Sequence, residues 1–257
     1  MEIKLGELDG KVALVTGAGQ GIGVGISLAL AKAGASVGLV GRTRSKLENT
    51  AKMIEEIGGK SHICTGDVTD RDSVNAFVAE IQDVLGPIWL LVNNAVSAKS
   101  QAVELIEDDN LDLALRSGVY GSLYTMQACF PTMKEKGGRI INFGSGGGTM
   151  GIEYNSAYNI AKEGIRALTK TAATGWGKYD ITVNTVCPIA STPLYDEWWD
   201  SITPEEQKAH MDAIPMRRMG DPEKDVGALI VFLAGPGGGY ITSRTLHIDG
   251  GRAFYDR

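Results

Sequence analysis

Tyr158 and Lys162 stand four residues apart in a segment, 156–178, whose apolar spacing reads as a helix. A rise of about 1.5 Å per residue and 3.6 residues per turn place both side chains on one face, roughly 6 Å apart along the axis. Ser145 lies thirteen residues upstream, at the end of an apolar run, where a strand would deliver it beside them. A hydroxyl, a phenol and an ammonium together suit hydride chemistry on an alcohol, in which the phenolate takes the hydroxyl proton as hydride leaves the carbon. A free tyrosine, with a pKa of about 10, is too weakly ionised for that at neutral pH. An ammonium near 4 Å, at an effective dielectric of about 20, favours the phenolate by up to about 4 kcal/mol, or roughly three pKa units. Ser145 would hold the substrate oxygen by hydrogen bonding. By themselves a Tyr and a Lys at helical spacing are more often a packed ring beside a surface charge, so the surrounding elements must decide.

The second chemical signal is Thr16-Gly17-Ala18-Gly19-Gln20-Gly21-Ile22-Gly23, which follows the apolar run Val12–Val15 and opens an alanine-rich helical segment ending near Gly34. Glycines let the backbone turn tightly and approach a pyrophosphate, whose charge is met by the helix N-terminus and its N–H groups. Strand, turn and helix fall in the order that dinucleotide binding requires. Gly17, Gly19, Gln20, Gly21, Ile22 and Gly23 are therefore assigned to a cofactor. After the second apolar run, where an NAD site would offer a carboxylate to the adenosine ribose, the chain has Gly41, Arg42, Thr43 and Arg44. A guanidinium–phosphate hydrogen bond is worth roughly 1.5–3 kcal/mol, enough for a tens- to hundred-fold preference for NADP, with Arg42 and Thr43 at the 2′-phosphate. The alternative is that these arginines form a solvated loop face. Gln20 stands where a basic residue would add a second phosphate contact.

Seven short buried-strand runs alternate with helical segments: Val12–Val15, Val37–Val40, His62–Thr65, Trp89–Val92, Arg139–Phe143, Thr182–Cys187 and Thr245–Ile248. Each is continuously apolar rather than alternating, the mark of strands covered on both faces. The expected fold is α/β, a Rossmann-type doubly wound parallel sheet of about seven strands in a three-layer α/β/α sandwich. Ligands in such sheets bind beyond the carboxyl ends of the strands. With 257 residues and 43% hydrophobic content the chain suits one domain, 1–257. A net charge of −6 opposes a general nucleic-acid or anionic-membrane surface. Cys64, Cys129 and Cys187 are odd in number and widely spaced, and His62, His210 and His247 share no short ligand spacing. The expectation is buried structural thiols and no metal. The N-terminal residues contain no apolar signal region and no uncharged run is long enough to span a bilayer, so the expected location is cytoplasmic.

Taken together, the TGxxxGIG loop at 16–23, Asn93-Asn94-Ala95, Ser145, Tyr158-Asn159-Ile160-Ala161-Lys162 and the closing Asp249-Gly250-Gly251 resemble the short-chain dehydrogenase/reductase family over almost the whole chain. The resemblance implies Tyr158 as the acid/base, Lys162 as the residue that binds the nicotinamide ribose and lowers the tyrosine pKa, and Ser145 as the substrate anchor. It further implies Asp67 and Val68 at the adenine, Asn93, Asn94 and Ala95 on the adenosine side, Ile189 and Thr192 at the carboxamide, and a homotetramer. Three positions depart from the family pattern. Gly118 aligns with the family's usual Asn of the proton relay, while Val96 and Ile189 each replace a glycine. The stretches 117–120, 141–143, 161–166 and 186–188 are similar to one branch, the bacterial NADP-dependent 12α-hydroxysteroid dehydrogenases, which also lacks that Asn.

Residues 190–219 carry Leu194, Tyr195, Trp198 and Trp199, followed by Met211, Ile214 and Met216, outside any buried-strand pattern. Thr203-Pro204-Glu205-Glu206 reads as a helix start, with a capping hydroxyl, proline at the first position and acids favourable to the dipole. This stretch is expected to be a substrate lid, and its apolar content suits a bulky cyclic ligand such as a steroid. Packing against the core or a neighbouring subunit is the equal alternative. Two other functions remain open from the residues alone. One is a reductase of carrier-bound β-ketoacyl groups, for which Arg217-Arg218 is the candidate docking pair. The other is a nucleotide sensor without turnover.

Overall fold

A computed structural model describes residues 7–253, apart from the side chain of Leu194. All seven expected strands form, each lengthened by at most two residues at either end: β1 (Val12–Thr16), β2 (Ser36–Gly41), β3 (Lys60–Thr65), β4 (Ile88–Asn93), β5 (Gly138–Phe143), β6 (Ile181–Pro188) and β7 (Thr245–Ile248). They make one sheet in the order β3-β2-β1-β4-β5-β6-β7, and every pairing is parallel. The order reverses between β1 and β4. The loops that leave those two strands, carrying the glycine motif and Asn94-Ala95, therefore open side by side into a crevice.

Helices cover both faces. On one side α1 (Ile22–Lys32), α2 (Arg44–Glu56) and α10 (Ala228–Ala234) pack Leu28, Leu30, Leu47, Ile54 and Ile230 onto the sheet. On the other, α3 (Arg71–Leu85), α5 (Gly121–Lys136) and α7 (Ser156–Trp176) contribute Phe77, Ile81, Met126, Met133 and Ala172. The helix read for 156–178 thus closes two residues early, and 177–179 tighten into a 3₁₀ turn. A short α4 (Asp108–Ala114) runs into α5 through a wider π turn at Leu115–Tyr120. Two helices occupy the candidate lid, α8 (Pro193–Ser201) and α9 (Pro204–Asp212), and α9 carries the expected start: Thr203 Oγ1 accepts from the Glu206 N–H while the Glu206 carboxylate accepts from the Thr203 N–H. No helix among the described residues is long and apolar enough to cross a membrane.

The core is not uniformly apolar where it supports the crevice. Asn142 on β5 is fully buried; it accepts from Asn93 Nδ2 of β4 at 2.9 Å and donates to Thr169 Oγ1 of α7 at 2.9 Å. Asn93 Oδ1 in turn accepts from Thr125 Oγ1 of α5 at 2.7 Å. One satisfied chain of polar groups thus joins β4, β5, α5 and α7, the elements that deliver Asn94, Ser145 and Tyr158. Low local dielectric strengthens such a chain and makes each gap in it costly. Asn142→Ala is expected to lower stability by about 2–4 kcal/mol, because the truncation strands Asn93 Nδ2 and leaves a cavity. Chemical denaturation followed by circular dichroism would measure it, and a loss below about 0.5 kcal/mol would contradict this account of the core.

Candidate active site

A cleft of about 1010 Å³ runs along the carboxyl ends of the strands. At its glycine-loop end it is walled by Gly17, Gly19, Gln20, Gly21 and Ile22. Gly17 and Gly21 adopt positive φ, 68° and 56°, which L side chains resist. A Cβ on Gly17 would approach Asn94 Nδ2 to 2.8 Å, and one on Gly19 would approach Lys46 Cβ to 2.9 Å. The loop can therefore lie against its neighbours only because those positions are bare. Gly21 caps α1 without a side chain, so no side-chain oxygen meets the first turn; the Val24 N–H turns back to the Gly21 carbonyl at 3.2 Å, and the helix presents its dipole end. Gly23 does not line the cleft. Its α-carbon packs on the Gly17 carbonyl, which a Cβ would meet at 2.2 Å, so its role is to let the helix start close to the turn.

Arg42 and Thr43 line the cleft beyond β2, joined by Lys46, the first turn of α2 having brought it round beside Gln20. Lys46 Nζ donates to Gln20 Oε1 at 2.6 Å. Arg44 turns the other way and bonds Glu48 at 3.0 Å. Sequence reasoning missed Lys46, although the i, i+2, i+4 spacing of Arg42, Arg44 and Lys46 already separates the first and last from the middle one at a helix start. Opposite them, Asp67 and Val68 line the cleft; Asp67 Oδ1 accepts from the Thr69 N–H at 2.8 Å, which fixes the carboxylate.

Asn94 and Ala95 also line the cleft, and both backbone N–H groups donate to Thr16 Oγ1, at 3.0 and 3.2 Å. Asn94 Nδ2 donates to the Thr16 carbonyl at 3.0 Å, tying the β4 loop to the β1 loop. Asn93 is instead turned into the core, 5% exposed and fully engaged with Asn142 and Thr125, and does not line the cleft. Ile189 is also off the cleft wall, because its N–H donates to the Ile248 carbonyl and its carbonyl accepts from Gly220. Thr192 does reach the cleft, where its hydroxyl caps α8 and its methyl lies over Gly21.

At the other end Ser145, Tyr158 and Lys162 converge on the same cleft. Ser145 ends the β5 loop and caps a short α6 (Gly146–Met150), its Oγ accepting from the Gly147 N–H at 3.0 Å. A hydrogen bond with Ser145 pulls the Tyr158 phenol toward ionisation, but burial outweighs it and the phenol pKa lies above its ordinary value. Lys162 is 2% exposed, and its Nζ donates to the Phe143 carbonyl at 2.6 Å and sits 5.3 Å from the Tyr158 ring centre. Burial drives the Lys162 pKa down to about 8. Burial thus moves both groups toward their neutral forms, a desolvation that helical spacing alone does not reveal.

Gly118, in the π turn, lies against α7: a Cβ there would meet Ala161 Cβ at 3.3 Å, Ile165 Cδ1 at 3.5 Å and Val96 Cγ2 at 3.6 Å. The surroundings are apolar and close, so the glycine serves helix contact. Its neighbour Ser117 lines the cleft and holds the β4 loop, accepting from the Ser97 N–H at 2.9 Å and donating to the Leu113 carbonyl at 2.7 Å. The aromatic residues of 190–219 pack on one another more than on the cleft. Tyr195 stacks on Trp199 at 5.8 Å, and His210 closes the group at 5.7 Å from Tyr195 and 5.0 Å from Trp198. From α8 the cleft wall receives Pro193 and Glu197 instead, because the helix phase turns Tyr195, Trp198 and Trp199 toward α9. Leu194, also expected in the lid, has a side chain outside the described residues.

A parallel sheet with a glycine turn at its switch point, and a Ser, Tyr and Lys at the far end of one cleft, defines a Rossmann-type oxidoreductase. The chain belongs to the short-chain dehydrogenase/reductase family, whose members use nicotinamide cofactors. The family model described as enoyl-(acyl carrier protein) reductase matches residues 17–253. The chain is 41% identical over 255 residues to a 12α-hydroxysteroid dehydrogenase of Clostridium sp., covering 96% of this chain and 98% of that one. It is 35% identical over 246 residues to the 3-oxoacyl-(acyl-carrier-protein) reductase FabG of Vibrio harveyi, covering 95% and 98%. A crystal structure of a candidate short-chain alcohol dehydrogenase from Sinorhizobium meliloti superposes with a TM-score of 0.90 at 31% identity, covering 97% of this chain and 98% of the other.

The depressed Lys162 pKa carries a stability consequence of definite sign. In the unfolded chain the amine titrates near 10.4, so between pH 8 and that value the unfolded state holds more protons and folded stability rises with pH. Below pH 8 the buried cation opposes folding in full, on the order of 3 kcal/mol. Lys162→Met is expected to melt higher than the parent at pH 7, with the advantage shrinking as pH climbs from 8 to 10. An advantage that stays constant over that range would contradict it.

Proposed function

We propose that the protein is an NADP(H)-dependent oxidoreductase that interconverts a secondary alcohol and a ketone, with Ser145, Tyr158 and Lys162 as its catalytic residues. The observation that carries this reading is their convergence with the glycine loop on a single cleft. Gly17, Gly19, Gln20, Gly21 and Ile22 would hold the pyrophosphate, Asp67 and Val68 the adenine, and Lys162 the nicotinamide ribose. A nicotinamide bound there supplies the hydride donor or acceptor. Ser145 donates a hydrogen bond to the substrate oxygen, and Tyr158 gives a proton to the ketone oxygen in reduction or takes the hydroxyl proton in oxidation. At neutral pH the phenol is protonated and Lys162 still carries its charge, an arrangement suited to protonating a ketone.

Preference for NADP is supported by Arg42 and Lys46 at the adenosine end, with no carboxylate at the end of β2. The substrate reading is a hydroxysteroid or similarly bulky, apolar cyclic ketone, supported by the Clostridium relative. Met150, at the end of α6, and Ile152 just beyond it are exposed apolar side chains on the segment that follows Ser145. A carrier-bound β-ketoacyl substrate fits less well. Arg217 is paired with Asp212 at 2.9 Å and Arg218 with Asp225 at 2.6 Å, so each cation of the expected docking pair already has an intramolecular partner. The reading extends to a cytoplasmic homotetramer in which 190–219 acts as a lid.

Two measurements test it. Tyr158→Phe is expected to leave NADPH binding intact while reducing turnover at least about a hundredfold, the scale of a lost general acid; unchanged turnover would remove the assignment, and retained binding without any parent activity would favour a sensor. Arg42→Asp combined with Lys46→Asp should lower the NADPH/NADH ratio of kcat/KM by tens- to hundred-fold. A panel of hydroxysteroids, simple cyclic alcohols and β-ketoacyl thioesters, run with both cofactors, decides the substrate, and activity confined to small alcohols rejects the steroid.

A further inference from the structure

Away from the cleft, at the sheet edge opposite β7, His62, Cys64 and Glu80 gather their Nε2, Sγ and carboxylate oxygen within 4.8 Å of one another. His62 and Cys64 are two residues apart on β3, so their side chains share one face of the strand. Glu80 comes from α3, which packs on that face. His62 Nε2 already meets Glu80 Oε1 at 2.8 Å, and Glu80 also accepts a hydrogen bond from the Cys64 thiol. The three donors are a nitrogen, a sulfur and an oxygen of unlike softness, which structural packing alone does not require.

We propose that His62, Cys64 and Glu80 form a binding site for a zinc-class divalent cation that clamps the edge strand β3 to α3. Imidazole and thiolate select such ions over magnesium or calcium. Zinc lies about 2.3 Å from sulfur and about 2.0–2.2 Å from nitrogen and oxygen, so tetrahedral ligand atoms sit roughly 3.2–3.7 Å apart. Glu80 is 54% exposed and His62 28%, so small rotations of the carboxylate and the ring reach that spacing, and water completes the coordination. Cys64 is 2% exposed, and its thiol is pushed up to about 12 by burial first and Glu80 second. Coordination therefore releases the thiol proton to solvent, with no change of oxidation state, and affinity rises with pH. His62 binds through its neutral ring, with Nε2 unprotonated. The charged groups facing the site are Glu80 itself and Arg44, whose charge is shared with Glu48.

The site adjoins function through the chain. Two residues beyond Cys64 the backbone enters Gly66, Asp67 and Val68, which line the adenosine end of the cleft. A cation that binds only the folded state stabilises it by mass action. Short-motif inspection missed the cluster because its third member stands sixteen residues beyond Cys64 and meets the others only when α3 docks.

The test uses the full-length protein without an affinity tag, stripped with a chelator, and titrated with Zn2+ alone for affinity and melting temperature and with Cd2+ for the ultraviolet thiolate-to-cadmium band. One equivalent is expected to bind, with the cadmium band present, the melt raised by Zn2+ and millimolar Mg2+ without effect. Cys64→Ser should abolish the band, and His62→Gln and Glu80→Gln should each weaken Zn2+ binding by about ten- to a hundredfold. Cys129→Ser should change neither reading. Absence of the band in the parent protein, its persistence in Cys64→Ser, or parental affinity in both His62→Gln and Glu80→Gln would overturn the proposal.

Discussion

The buried ammonium of Lys162 is the constraint around which the candidate active site is built. A charge at 2% exposure is tolerated only where an acceptor meets it, and the Phe143 carbonyl at the end of β5 does so at 2.6 Å. That single bond fixes the distance between α7 and the carboxyl edge of the sheet. Because Ser145 follows Phe143 by two residues and Tyr158 precedes Lys162 by one helical turn, both chemical groups are placed by the same contact. The arrangement opposes folding locally, as the depressed amine pKa shows, and the surrounding core must hold it in place.

What holds it is a polar spine rather than more hydrocarbon. Asn142, Asn93, Thr125 and Thr169 link four elements through bonds of 2.7–2.9 Å, each with little tolerance for displacement. Apolar packing alone is non-directional and lets helices slide by fractions of an ångström at small cost. A hydride transfer does not tolerate such slippage, since reacting atoms must be held near contact distance. The directional bonds in the core and the alignment of the groups above it are thus one design.

Much of this was legible in the residues, and the failures have identifiable physical causes. Continuous apolar runs disclosed all seven strands because strands covered on both faces have no polar side to alternate with. The glycine loop and the Ser, Tyr and Lys positions were legible because backbone approach and proton transfer each admit few residue types. The resemblance alone carried Asn93 to the adenosine side; its partner Asn142 sits at the paired position of β5 and draws it inward, a pairing that the single strand does not disclose. The gathering of Tyr195, Trp198 and Trp199 on His210 was not legible, because nothing local shows that a residue of the next helix will collect them. Spacing reveals the proximity of Lys162 and Tyr158 but not their desolvation, which here moves both groups toward their neutral forms.

Gly118 shows how a departure from a family pattern acquires a physical meaning. A Cβ at this point would press on Ala161, on the helix that carries Tyr158 and Lys162, and would make ordinary contact with Ile165 of the same helix and with Val96 beside the cleft. The π turn from Leu115 to Tyr120 shifts the helix phase by one residue, which brings the bare position against α7 and Ser117 to the cleft wall. The missing side chain thus lets the π turn and α7 close on each other through an apolar contact beside the helix face that carries Tyr158 and Lys162.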